Sequence, residues 1–171
     1  MKKRSIATVA FTLIALTGLF TACDKNDHRT RLDIHLTDNP YNAQQVNVDI
    51  KEVRVNMKSD SSGWQTIETV PGIYNLLELQ NGIDTLIASA DLPTGKLKEV
   101  RLILGSENSI MIDSIIHPLT IPSGSESGLK LKLNKDLKAG MDELVIDFDA
   151  ALSIHKIDEE NYHLKPVLKI K

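Results

Sequence analysis

The chain has 171 residues, 20 of them basic and 23 acidic, and a formal charge of −3 at pH 7. That length suits one domain that can bury a core unaided, and a single cysteine excludes an internal disulfide framework. The acidic balance, with no Lys/Arg run after Arg4, argues against nucleic acid as a partner, because phosphate-driven affinity needs a basic surface.

At the N-terminus, Lys2, Lys3 and Arg4 precede an uncharged apolar run from Ile6 to Phe20. At about fifteen residues this run is shorter than the roughly 20 a permanent spanning helix needs, and it ends in small residues rather than a basic stop-transfer flank. It reads as an export signal. Its end, Leu19-Phe20-Thr21-Ala22-Cys23, resembles a lipobox, with Phe20 where leucine is usual. In that motif the cysteine thiolate accepts a diacylglyceryl group before cleavage. The alternative is ordinary secretion with cleavage near Ala22 and an idle thiol. Lipidation gives the only cysteine of an exported chain a purpose, and a thioether diacylglyceryl plus an amide-linked acyl chain exceeds the two-signal threshold for stable anchoring, at about 0.8 kcal/mol per buried methylene. Residues 1–22 are therefore expected to be removed, 23–31 to form the lipidated cysteine and a polar tether, and 32–171 to form one domain. Losing Lys2, Lys3 and Arg4 moves the formal charge from −3 to −6.

From Leu32 onward the pattern has period two, bounded by turn residues, and no segment keeps a helical period over three turns. Leu32, Ile34 and Leu36 alternate with Asp33, His35 and Thr37 before Asp38-Asn39-Pro40 ends the strand. Val46, Val48 and Ile50 alternate next. The phase slips at Lys51-Glu52, the signature of a β-bulge, and resumes with Val53, Val55 and Met57. A polar turn at 59–63 leads to a strand at 64–67, with Trp64 expected to pack inward. Further strands are expected at 73–77, 85–88, 96–104, 109–113, 119–121, 129–133, 144–148 and 164–170. Short strands with frequent turns predict an all-β body, a Greek-key β-sandwich.

Enzyme signatures are missing. Gly124-Ser125-Glu126-Ser127-Gly128 has the outline of a nucleophile elbow, but glutamate occupies the nucleophile position, so it reads as a turn. There is no phosphate-cradling glycine loop ending in Lys-Ser or Lys-Thr. His28, His35, His117, His155 and His163 are scattered without metalloprotease spacing. The expectation is a non-enzymatic protein without a catalytic residue.

The order of short motifs carries a resemblance. Leu36-Thr37-Asp38-Asn39-Pro40, Val48 to Val55 followed by Trp64, Leu76 to Gly82, Leu92-Pro93-Thr94-Gly95 leading to Val100-Arg101-Leu102, Asp147-Phe148-Asp149-Ala150 and Leu164-Lys165-Pro166-Val167 together resemble a family of bacterial lipoproteins known as domain of unknown function 4382. The resemblance implies a sandwich similar to starch-binding and prealbumin-like domains. It also implies residence in the envelope of Bacteroidota-type cells, attached to the outer membrane, and no established activity. In such cells an acid-rich stretch after the lipidated cysteine favours surface display, and Asp24-Lys25-Asn26-Asp27 is a partial version of one.

Three surface features are candidates for function. Leu144, Ile146 and Phe148 are expected to face the core, so Asp147 and Asp149 would project together from the other face, about 7 Å apart. With Asp38 or Asn39 from a loop they would offer oxygen ligands to calcium; turn capping, pairing with Lys or Arg, or protection of an exposed edge is the structural alternative. The implied fold suggests glycan binding, for which Tyr41 and Tyr162, and less so Tyr74, are the candidate rings in a chain with only 4% aromatics. The rival is an interaction module that presents loops or an edge strand, for instance 46–57, to an envelope protein by β-strand addition.

Overall fold

The computed structural model describes residues 28–39, 41–58, 60–122 and 128–171. The export segment, Cys23, most of the tether, and 123–127 within the Ser/Gly turn lie outside the described residues. In chain order the strands are β1 (Arg29–Thr37), β2 (Gln45–Asn56), β3 (Trp64–Thr66), β4 (Glu68–Thr69), β5 (Gly72–Asn75), β6 (Thr85–Pro93), β7 (Gly95–Leu104), β8 (Ser109–Ile112) and β9 (Ile115–Thr120). They continue as β10 (Leu129–Leu137), β11 (Gly140–Phe148), β12 (Ile154–Lys156), β13 (Tyr162–Leu164) and β14 (Leu168–Ile170), with one helical turn, α1 (Ala150–Ser153), between β11 and β12.

The strands form two mixed sheets packed as an all-β sandwich. One sheet runs β14-β11-β1-β6-β4 and the other β10-β7-β2-β8-β9-β13-β12, with β3 and β5 also pairing along β2. Most neighbours are antiparallel, but β1 lies parallel to β11 and β9 parallel to β13. The alternation explains the core. Leu32, Ile34 and Leu36 from the first sheet meet Val46, Val48, Val53 and Val55 from the second, all fully buried, with Phe148 among the largest side chains enclosed. The phase slip in β2 is a bulge: pairing with β7 shifts register between Ile50 and Glu52.

Several details differ from the sequence expectation. β1 starts at Arg29, three residues early, because Thr30 is already buried and Arg29 Nη2 donates to the Asp91 carbonyl at 2.6 Å. The tether is correspondingly shorter. The expected strand 164–170 is two strands, broken around Pro166, which has no N–H to give a ladder. Trp64 does not point inward. It pairs with Asn56, on the side of β2 opposite the core-facing Val55, and lies half-buried on the outer face. Strand 46–57 is not an edge either: β2 has β7 and β8 along one side and β5 and β3 along the other. The long edge of the second sheet is β10, paired among the described residues with β7 alone.

Candidate functional site

The three acids singled out above gather where β1 and β11 end, since their parallel register sets Thr37 beside Asp147. They do not project from the sandwich. Asp38, Asp147 and Asp149 are 1%, 5% and 5% exposed. Alternation stops at Phe148, and Asp149 becomes the N-cap of α1, its carboxylate accepting from the Leu152 amide at 3.0 Å and from Lys169 Nζ at 2.6 Å. Burial works to raise the Asp149 pKa, but Lys169 and the Leu152 amide outweigh it and hold the carboxyl below its usual range. Asp38 accepts from the Ala150 amide at 2.9 Å, and Asp147 from the Asn39 side chain at 2.7 Å.

Burial pushes Asp38 up to about 6, eased by amide donors and reinforced by Asp147. The Gln80 amide lies near enough to ease that charge, yet its hydrogen bond runs to the Asn39 carbonyl at 3.4 Å. Asp38 Oδ2 and Asp147 Oδ1 stay enclosed without a hydrogen-bond partner among the described residues. The trio is therefore split. Asp149 belongs to a helix cap and a lysine, and among the described residues no three His, Cys, Asp or Glu side chains gather as a metal would require.

The tyrosines lead elsewhere. Tyr162 opens β13 and is 5% exposed, and Tyr41 packs partly buried against the core. The two are close neighbours: burial, with Tyr162 alongside, pushes the Tyr41 phenol above its ordinary range. Neither ring is an open platform. Tyr74 is half-buried, its hydroxyl donating to the Val70 carbonyl at 2.5 Å.

What Tyr162 does line is a cleft of about 630 Å³ between the β8–β9 hairpin and the β12–β13 hairpin. Asp113 and Ser114, both at positive φ (50° and 63°), form the two-residue turn of the first hairpin. The Ser114 amide donates to Gln44 at 2.6 Å, which fixes that turn beside the loop following β1. In the second hairpin the Asp158 carboxylate accepts from the amides of Glu160 (3.0 Å) and Asn161 (2.9 Å) and from the Asn161 side chain at 2.8 Å. With its local donors satisfied, that loop holds Glu159 and Glu160 at the cleft wall.

Parallel pairing of β9 with β13 then sets the His117 ring 5.1 Å from the Tyr162 ring, with Lys156 Nζ also over Tyr162, 5.9 Å from its centroid. Histidine Nδ1 lies 3.3 Å from the Glu160 carbonyl, a contact that suits an Nδ1–H tautomer and leaves Nε2 as an acceptor. Ile115 and Ile116, 59% and 62% exposed, form an apolar lip. The chemistry on offer is an aromatic pair, an ammonium, two carboxylates and an imidazole acceptor in one recess of ligand size. A smaller hollow of about 360 Å³ near Leu104, Asn108, Leu119 and Leu129 gathers no charged group among the described residues.

Reasoning from sequence reached Tyr162 and Tyr41 but missed His117, Lys156 and Glu160. The cleft depends on a parallel pairing between segments more than forty residues apart, which local alternation does not reveal. Ile115-Ile116, two consecutive apolar residues after a turn, was the available signal. A histidine–aspartate pair also occurs on the exposed face of β1, where His35 Nδ1 meets Asp84 at 2.6 Å; no hydroxyl or thiol hydrogen-bonds that imidazole among the described residues. No curated protein and no solved structure matches this sequence. Residues 29–166 match the family described as domain of unknown function (DUF4382), which spans both sheets and the cleft, and the chain belongs to that family.

Proposed function

We propose that the protein is a lipid-anchored, non-catalytic binding module of the bacterial cell envelope, held in the outer membrane through Cys23, and that its cleft takes a short glycan segment. The observation that carries this reading is the cleft itself, where Tyr162, His117, Lys156 and Glu160 converge in about 630 Å³. Hydroxyl-rich ligands suit such a wall, because carboxylates and an imidazole nitrogen accept and an ammonium donates while the exposed Ile115 and Ile116 side chains offer an apolar lip to a sugar face. Placement supports it too. β1 begins six residues after Cys23, and its nine residues, about 30 Å long, lead to the end of the sandwich where the cleft opens.

Two measurements test the parts separately. Mass spectrometry of the mature N-terminus should find diacylglyceryl on Cys23, and an unmodified thiol there refutes the anchor. Equilibrium binding to an oligosaccharide array should identify a ligand whose affinity falls at least about tenfold in Lys156→Gln and Glu160→Gln, roughly 1.4 kcal/mol each. No bound sugar, or variants that bind as well as wild type, refutes the glycan reading.

A second reading has one observation in its favour. β10 is a nine-residue edge with one side unpaired among the described residues, the geometry needed for strand addition by another envelope protein. A photo-crosslinker at Asn134 in intact cells should then join one defined partner, and Lys132→Pro should abolish the adduct. An adduct that persists in the proline variant refutes strand addition.

A further inference from the structure

The outer face of the second sheet holds three cations in one cross-strand row. Lys130 of β10 stands opposite Arg101 of β7, and Arg101 opposite Arg54 of β2. Their chain neighbours Val53, Val55, Val100 and Leu102 are fully buried, so these three point away from the core. Like charges directly opposite one another destabilise a sheet, and a chain of net charge −3 has no surplus of cations to dispose of. Two acids flank the row on that face among the described residues: Glu99, two residues before Arg101 and opposite Lys132, which forms no salt bridge there, and Glu52, two residues before Arg54. Glu52 is already held by Arg54 through two hydrogen bonds, 2.6 and 3.1 Å, with the Thr66 hydroxyl donating to it as well. Neither Lys130 nor Arg101 forms a salt bridge among the described residues.

Arg101 is also pre-positioned. Its guanidinium lies over the Trp64 ring, 4.1 Å from the centroid, and its Nε is enclosed without a hydrogen-bond partner among the described residues. Stacking on an indole holds a guanidinium plane in place and removes part of the ordering cost of a two-point contact with an oxyanion. Lysines on an edge strand guard against aggregation, which accounts for Lys130 and Lys132. It does not account for two arginines on the interior strands β7 and β2. A row in which only Arg54 finds an acidic partner among the described residues marks a candidate functional surface.

We propose that this row is an oxyanion site and that its ligand is an acidic polysaccharide whose carboxylate or sulfate groups lie across the strands. A planar guanidinium takes a carboxylate or sulfate in a bidentate fork, and Lys130 adds a second charge beside it. The face is open rather than recessed, which suits an extended chain better than an isolated small anion. Strands repeat at about 4.8 Å, close to the rise of one sugar unit in an extended polymer, so successive acidic groups would meet successive cations. A shallow hollow of about 250 Å³ lined by Lys98, Glu99, Lys132 and Leu133 lies beside the row, along the next cross-strand pair. The proposal does not depend on the cleft, because none of the three cations lines it.

The test is binding of the purified full chain to polygalacturonate, with a neutral glucan and vesicles of anionic phospholipid as parallel probes, at low and physiological salt. Polygalacturonate should bind, neutral glucan should not, and affinity should fall with salt. Arg101→Gln and Lys130→Gln should each weaken binding about tenfold or more, Arg101→Lys should weaken it less than Arg101→Gln, and Lys165→Gln, at an exposed residue outside both the row and the cleft, should leave it unchanged. Unchanged melting temperatures for the variants separate lost contact from lost fold. Absence of polygalacturonate binding, equal loss in Lys165→Gln, no loss in Arg101→Gln, or tighter binding to the vesicles than to the polymer overturns the proposal.

Discussion

The acids where β1 and β11 end and the polar groups of the β8–β9/β12–β13 cleft both lie toward the end of the sandwich farthest from Arg29, yet they are built in opposite ways. At the first, Asp149 and Asn39 spend their hydrogen bonds inside the protein, on the Leu152 amide, Lys169 and Asp147. At the second, the internal bonds hold the two hairpin turns, through Asp158 with Asn161, Ser114 with Gln44 and His117 with the Glu160 carbonyl, and Lys156, Glu159 and Glu160 keep their charges at the surface. Acidic residues close together in sequence thus serve a joint in the fold, while residues far apart in sequence make the surface that can meet a ligand. A conspicuous local cluster is weaker evidence of a site than polar groups brought together by packing and left without internal partners.

That contrast can be broken or sharpened by experiment. The largest effect should come from Phe148→Ala, which empties the fully buried position between Asp147 and Asp149 and should cost about 3–5 kcal/mol in chemical denaturation. A loss under about 1 kcal/mol would show that the joint is looser than its burial implies.

Next comes the pH dependence of Asp38. Its folded pKa of about 6 lies above the ordinary 3.8, so its contribution to stability is fully present below about pH 4 and is lost as pH rises through 6. The loss by pH 8 is on the order of 2–3 kcal/mol. Asp38→Asn keeps an acceptor for the Ala150 amide and cannot ionise. Its urea midpoint should exceed that of wild type at pH 8 and converge with it near pH 4. A constant difference across that range would remove Asp38 as the titrating group.

Smaller is Asp149→Ala, expected to cost about 1–2 kcal/mol through loss of the helix cap. Asp149→Asn should recover most of it, because Lys169 is half exposed and the ion pair adds little. Lys156→Gln should change stability by no more than about 0.5 kcal/mol while weakening ligand binding, the signature of a surface group in the cleft. Smallest of all is calcium: with Asp149 committed to Lys169, millimolar calcium should move the melting temperature by less than about 1 °C, and a larger rise would show that Asp38 and Asp147 take a cation after all.

Much of the fold was legible in the chain. Alternation found β1, β2, β7, β10 and β11, and the phase slip at Lys51-Glu52 found the bulge, because burial of one face of a strand imposes period two on the residues. Short elements were less legible. β4 and β12, of two and three residues, are too brief to show a period, and β9 begins with two exposed isoleucines that mimic no inward face. Trp64 was misplaced because its size suggests a core position, whereas its register opposite Asn56 puts it on the outer face under Arg101.

The sequence by itself determined the class of the body, the bulge in β2 and the export and lipidation expectation at Cys23, since each rests on neighbouring residues and local chemistry. Only the tertiary structure decided that Asp149 caps a helix, that His117 and Lys156 flank Tyr162, and that Lys130, Arg101 and Arg54 share one row. Those juxtapositions come from strand order and register, which depend on pairing between distant segments and leave no local periodicity to read.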